Sequence, residues 1–377
     1  MKLIRIWAVT RKEYLHVLRD ARSLGMAIAI PMMMLMLFGY ALTLDVDKVP
    51  LVVWDQSGSE QSRELIAQFA GSRYFSLREH FNEYADIVLA IDSGRALAAM
   101  VIPRDYAQRI SAGRDAEVQF IVDGSDSNTA TIALGYAEAV TQTYSQNLVI
   151  KAVQGNGGPA LQQPLEIRPR VWFNEDMESR NFIIPGLIGV LMMVIAALMT
   201  SLTVAREWER GTMEQLISTP VKGPELIIGK LIPYFTIALF DVLLAVLTSQ
   251  FLFHVPLRGS VVFLFAMTII FLIGAMSMGM VISINTKNQL LASQFAMVAT
   301  YLPSFLLSGF MFSIANMPEP IQIVTYAVPA RYFVFLLKGI YLKGVGFQVM
   351  SGEAILLAIY AVVMFTVAIA RFKKKLT

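Results

Sequence analysis

The stretch Arg206–Lys230, REWERGTMEQLISTPVKGPELIIGK, decides how the rest of this 377-residue chain is read. It is the one long polar segment of the C-terminal half, and apolar runs long enough to cross a bilayer flank it on both sides. Glu207, Arg210 and Glu214 recur at i, i+3 and i+7 and share one helical face. Met213, Leu216 and Ile217 fall on another, so the pattern predicts a short amphipathic helix over 206–220. Pro220 and the Gly223-Pro224 pair end it. A charged helix strapped between two spans is a lever, because a partner pushing on it moves both. An ordinary solvated loop helix carries the same pattern.

The surrounding composition is that of a membrane protein, 56% hydrophobic with a mean hydropathy of +0.58. Residues 45–180 hold twelve Lys/Arg against nineteen Asp/Glu and the remainder nineteen against nine, so the net charge of +3 hides an acidic block in a basic chain. The bases sit at span ends instead of on one soluble face, which argues against a nucleic-acid partner. With no cysteine, disulfides and Cys-based metal or redox sites are excluded.

Residues 1–23 read as a cytoplasmic interfacial segment. Over 3–20, Leu3, Ile6, Trp7, Tyr14, Val17 and Leu18 oppose Arg5, Lys12, His16 and Arg19. Such a helix lies in the headgroup plane, rings inward and bases toward anionic lipid. A signal peptide fits poorly, since the basic region is too long and no small-residue cleavage site follows. The first span is 24–44, uncharged and long enough for ~30 Å of hydrocarbon at ~1.5 Å per residue, with a kink expected at Pro31.

From 45 to 180 the periodicity becomes that of an α/β domain. Strands are predicted at Leu51–Trp54, Tyr74–Leu77, Ala98–Ile102, Val118–Val122 and Glu166–Phe173. Helices are predicted at Glu60–Ala70, Asn82–Ser93, Arg104–Ala112 and Thr129–Val153, and the Gly155–Pro159 run breaks the pattern before the last strand. The loop Asp123-Gly-Ser-Asp-Ser-Asn128 offers oxygen ligands for Ca²⁺ but lacks the spacing of a known cation loop. Its place between strand and helix suits a turn and N-cap.

Residues 181–377 complete a six-span bundle, with spans at Phe182–Ala205, Leu231–Phe253, Ser260–Ser283, Leu290–Phe312 and Ala354–Ala370. Between the last two, 313–352 is cut by Pro318, Pro320, Pro329, Arg331, Lys338 and Lys343 and is read as an outer re-entrant segment. With both termini inside, the internal short segments hold fifteen Lys/Arg and the external ones four, so 45–180 is expected outside and 206–230 inside.

Catalytic chemistry is missing from this pattern. The nearest imitation of a phosphate loop, Gly223 to Lys230, has one spacer too many, and Leu231 stands where Ser/Thr is needed. His16, His80 and His254 are scattered, and there is no nucleophile elbow. Asp241, midway along the third span, stands out because a carboxylate at the bilayer centre must face protein or water. It is either a polar point on a substrate path that favours cations or a hydrogen-bonded helix glue with Thr236 or Thr248 as neighbours. Met192, Met193, Met276 and Met280 are among many span methionines that suit either an adaptable cavity or ordinary packing. Ala275 and Gly279 form a small-xxx-small pair.

Three stretches resemble the ABC-2 type exporter permeases of the large-ectodomain branch (the YhhJ/YbhS/YbhR-like multidrug exporter subunits): AREWERGTMEQL, LLSGFMFSIANMPEPIQ over Leu306–Gln322, and Pro329-Ala-Arg-Tyr-Phe followed by Ile340-Tyr-Leu-Lys-Gly. The resemblance implies a polytopic α-helical protein of a bacterial inner membrane with an α/β extracytoplasmic domain between its first two spans. It makes 206–220 a coupling helix, with Arg206, Glu207, Glu209, Arg210, Gly211, Thr212, Glu214 and Gln215 meeting a cytoplasmic ATPase. That separate subunit holds ATP and Mg, so no cofactor belongs to this chain, which is a transport subunit and not an enzyme. It implies a dimer with a second copy or a sister permease, contact with membrane lipids, and a periplasmic adaptor in many members. Hydrophobic or amphipathic compounds, drug-like or lipid-like, are the expected cargo. An envelope sensor or scaffold using 45–180 to bind a ligand or partner is the competing reading.

Overall fold

The computed structural model describes residues 2–41, 48–155, 173–174 and 178–372. The chain divides into two compact units, Leu44–Pro169 and the remainder. It opens with α1 (Leu3–Arg19) and α2 (Ala21–Ala41), the latter carrying Pro31 inside it.

The α/β unit follows as β1 (Val49–Asp55), α3 (Glu60–Ala70), β2 (Phe75–His80), α4 (Tyr84–Asp92), β3 (Ala98–Ile102), α5 (Tyr106–Ser111), β4 (Gln119–Val122) and α6 (Ser127–Gly155). Its sheet has the order β2-β1-β3-β4. β1 is parallel to β2 and β3, and β4 is antiparallel to β3. β1 and β3 are near-continuous apolar runs because both faces of the sheet are covered. Alternate residues serve opposite faces: Leu51, Val53, Met100 and Ile102 pack with Leu65, Phe69 and Tyr106, whereas Val52, Ala99 and Val101 pack with Ile87 and Ala90 of α4. Four of the five predicted strands and all four predicted helices are present, Glu60–Ala70 and Ala98–Ile102 with the predicted bounds and the others with shifted ends. The fifth, Glu166–Phe173, lies outside the described residues except for Phe173, as does the Gly155–Pro159 run after Gly155, and α7 begins at Ser179.

The second unit continues with α7 (Ser179–Glu209), α8 (Thr212–Ser218), α9 (Gly223–Phe251), α10 (Val261–Thr286), α11 (Gln289–Leu307), α12 (Glu319–Thr325), α13 (Pro329–Lys338) with a π-helical turn at Gly339–Lys343, and α14 (Phe347–Arg371). Among the described residues, six helices are long and apolar enough to cross a membrane: α2, α7, α9, α10, α11 and α14. α12 and α13, bent by 87° at their junction, would make a seventh if counted as one broken span.

α7 lies at the centre of this unit, packed on α2, α9, α10, α11 and α13. Its closest partner is α10, where a Cβ on Gly279 would stand 2.1 Å from the Ala197 carbonyl oxygen, so the two backbones touch. The Thr200 hydroxyl donates to the Met276 carbonyl at 2.9 Å beside that contact. Met192, Met193, Met276 and Met280 are buried packing residues. α11 ends at Leu307, short of the expected Phe312, because Gly309 takes a left-handed φ of 78° and the Ser308 hydroxyl accepts from the Phe310 amide.

Two of the three cations that interrupt 313–352, Arg331 and Lys338, turn inward, while Lys343 is exposed. Arg331 lies 3.8 Å from the Tyr326 ring centroid and donates to the Gln322 carbonyl at 3.3 Å. Lys338 donates to the Gly309 carbonyl at 2.8 Å and sits over the Phe182 ring. Each thus meets a carbonyl at a helix C-terminus, Gln322 in the last turn of α12 and Gly309 just past α11, where positive charge is favoured.

Candidate functional site

Arg206, Glu207, Trp208 and Glu209 carry no stop signal, so α7 runs through them and halts only at Gly211, whose φ is 67°. The single helix expected over 206–220 is therefore two pieces, the last turn of α7 and the short α8. This break corrects the expected grouping of Glu207 with Arg210 and Glu214. Glu207 turns inward and is 8% exposed, while Glu209, Arg210, Glu214 and Gln215 are exposed and Arg206 and Thr212 are half-buried. α8 keeps the predicted apolar face: Met213, Leu216 and Ile217 pack with Leu226 and Phe372, leaving Glu214 and Gln215 outward.

Behind α8 lies a buried polar clasp. The Lys230 ammonium, its side chain 2% exposed, donates to Glu13 Oε2 at 3.2 Å and to Glu207 Oε1 at 3.0 Å. Lys12 Nζ reaches the same Glu207 oxygen at 3.0 Å, and the Thr212 hydroxyl donates to the other. Tyr234 donates to Glu13 Oε1 at 3.0 Å. The buried Lys230 ammonium and the exposed Lys12 together offset the two carboxylates, which lets those charges stay in an interior where an unpaired one costs several kcal/mol. The clasp joins α1, the end of α7, the start of α8 and the start of α9.

A second set of contacts extends it. Glu225 accepts from the amides of Lys2 at 2.8 Å and Lys222 at 2.9 Å, with Arg5 at 3.7 Å. Arg206 Nη1 lies 3.0 Å from His16 Nε2, and Arg206 Nε donates to Gln289 at 3.2 Å. The Gln289 amide in turn donates to Glu209 at 2.8 Å. Lys287 sits 4.6 Å from the Trp208 ring centroid, so the α10–α11 turn is held as well. Gly229 permits the approach of α1, since a Cβ there would stand 2.7 Å from that of Val9.

The bases of α1 were expected to face anionic lipid. Arg5, Lys12 and His16 instead meet protein groups, because the facing surface supplies Glu225, Glu207 and the Arg206–Gln289 chain. Leu3, Ile4, Trp7 and Leu18 remain exposed, Leu3 and Ile4 at 82%. Glu13, Lys230 and Tyr234 escaped the sequence reading. One signal was present: Lys230 is the lone base of a span-forming helix, and such a charge requires a partner.

Asp241, in α9, is fully buried, and among the described residues neither carboxylate oxygen has a hydrogen-bond partner. The neighbours expected for it are engaged elsewhere. Thr236 bonds Tyr14 and the Ile232 carbonyl, and the Thr248 hydroxyl faces the Met32 sulfur at 3.9 Å. In the α/β unit the Ser125 amide, 2.9 Å from Asp123 Oδ1, holds that carboxyl below its usual range, and Asp126 accepts from the Thr129 hydroxyl. Both acids thus serve the turn into α6, and the described residues gather no group of three His, Cys, Asp or Glu suited to a metal.

A family profile described as "ABC-2 family transporter protein" matches residues 22–370. "Probable multidrug ABC transporter permease YbhS" of Escherichia coli (strain K12) is 38% identical over 362 residues, 96% of this chain and 94% of that protein. "Probable multidrug ABC transporter permease YbhR" of the same strain is 28% identical over 373 residues, 98% and 99% of the two chains. "Inner membrane transport permease YhhJ", also from that strain, is 24% identical over 328 residues, covering 86% and 85%. The matched region runs from the start of α2 to the end of α14, and the chain belongs to the ABC-2 family of transporter proteins.

Proposed function

We propose that this chain is the permease subunit of an ATP-driven exporter and that α8 is where a separate ATPase subunit drives it. Permeases of this family are multi-pass inner-membrane proteins and not enzymes, and hydrolysis of ATP with Mg²⁺ belongs to the partner. The buried clasp behind α8 carries the reading. A force on an isolated loop helix would be absorbed by the loop, whereas α8 is fixed through Glu207 and Lys230 to α7, α9 and α1. In this reading Glu209, Arg210, Gly211, Glu214 and Gln215 present the contact surface, and Arg206, Glu207 and Thr212 hold it in place. The working unit is a dimer, with a second copy or a sister permease, and both termini are cytoplasmic. The Leu44–Pro169 unit lies outside, in reach of a periplasmic adaptor, as the distribution of Lys and Arg favours. Cargo is hydrophobic or amphipathic, drug-like or lipid-like, a reading supported by the names of two relatives as probable multidrug permeases.

Glu214→Lys tests α8. Its side chain is exposed, so the assembled complex should keep its thermal midpoint. Transport per ATP hydrolysed should fall about tenfold, the equivalent of losing one contact of ~1.4 kcal/mol. Wild-type coupling in an assembled variant would remove α8 from the drive path.

Asp241 is proposed as a polar point on the substrate path, because a buried carboxylate in a span with no partner among the described residues calls for a counter-charge that those residues do not supply. Asp241→Asn keeps the shape and most hydrogen-bonding capacity but removes the charge. The ratio of cationic to neutral export, normalised to assembled complex, should fall several-fold. An unchanged ratio excludes Asp241 from the path.

A further inference from the structure

The α/β unit contains a cleft of about 1730 Å3 that no step above uses. α6 forms one wall from Leu134 to Leu148, about 21 Å at the helical rise. α3, α5 and the segment after α5 form the other. The half-buried Ile110, Val118, Phe120 and Leu148 and the exposed Leu134 line it, over the buried Phe69 and Tyr106. At the rim are the exposed acids Glu60, Glu64, Asp115 and Glu138, against one base, Arg114.

These partly exposed apolar side chains let a lipophilic ligand remove further surface from water. Acids on both walls raise the local concentration of cations and repel anions. The volume exceeds the ~300–1,000 Å3 usual for one drug-sized molecule, so compounds of different shape can settle in different poses. We infer that this cleft is a binding site for amphipathic organic cations. The assignment is independent of the exporter reading, because binding is measured without ATP or transport.

The chain contains no cysteine, which makes a local reporter direct. Leu134, 48% exposed on the α6 wall, is replaced in the full-length protein by Leu134→Cys, in phosphatidylcholine nanodiscs, and labelled with a fluorescent maleimide. Tetraphenylphosphonium should slow labelling at least about fivefold, whereas the neutral triphenylphosphine oxide should leave it unchanged. A control Val88→Cys, on α4 across the sheet, should keep its rate with either compound. Adding Asp115→Asn and Glu138→Gln, one acid from each wall, should raise the tetraphenylphosphonium concentration for half-protection about tenfold at an unchanged thermal midpoint. Equal protection by the neutral compound, or protection indifferent to the two acids, overturns the assignment. So does a Leu134→Cys thiol that reagent cannot reach in the free protein, since the cleft would then already be filled. None of these outcomes bears on the Glu214→Lys result, so the two readings fail separately.

Discussion

Gly279→Val should leave almost no monodisperse protein after detergent extraction, the largest single-residue effect expected in this chain. A Cβ at this position would stand 2.1 Å from the Ala197 carbonyl oxygen and 2.2 Å from Thr200 Oγ1. The first of these is backbone inside a helix and cannot swing aside, so α7 and α10 must separate. Separation breaks the Thr200–Met276 hydrogen bond and opens the contact that buries Ala275, Met276 and Met280. Ordinary overpacking costs ~1–3 kcal/mol where side chains can adjust. Here a helix must move, and the cost rises beyond that range. Gly279→Ala should already lower the thermal midpoint markedly. Gly352→Ala, with nothing within 4 Å, should leave it unchanged or raise it, since alanine favours helix by ~1 kcal/mol. A Gly279→Val protein that elutes and melts like wild type would mean that α7 and α10 do not meet as described.

Lys230→Met should be the next most damaging change. It leaves Glu13 and Glu207 facing each other in the interior without their shared ammonium, and removing one partner of a buried pair costs ~3–5 kcal/mol. Glu207→Lys should be comparably harmful, because it sets a third ammonium beside those of Lys12 and Lys230. The contrast with the surface change Glu214→Lys separates assembly from drive. Replacing the set together, Glu13→Gln, Glu207→Gln and Lys230→Met, should restore most of the lost midpoint, since an uncharged cluster has no desolvation penalty to offset. Scanning fluorimetry on the purified protein reads all three. A Lys230→Met midpoint equal to wild type would show that the clasp carries no stability.

The spans and the α/β unit were legible because each rests on a local pattern: uncharged runs of about twenty residues, or apolar segments with turn residues between them. The interior of the candidate site was not. A wheel drawn over 206–220 groups Glu207 with Arg210 and Glu214 only while the helix is continuous, and Gly211 ends it. Glu13 and Lys230 are 217 positions apart, and no periodicity joins them. Asp241 could be recognised as a costly charge from its place in a span, but whether it has a partner depends on how α9 is turned, which its own sequence leaves open.

The separation of Glu13 and Lys230 also orders events during synthesis. At about 5–20 residues per second, roughly 10–40 s pass between the appearance of Glu13 and that of the ammonium 217 residues later that will hold it. Throughout that interval α1 is a nascent helix with one acid on its inner side and no protein surface to receive it. Leu3, Ile4, Trp7 and Leu18, which the finished fold leaves outward, are apolar surface that the nascent helix carries through the whole of that interval. The pairing of α1 with α9 therefore waits for Lys230, and a chain truncated before it has α1 but not the lock that holds it.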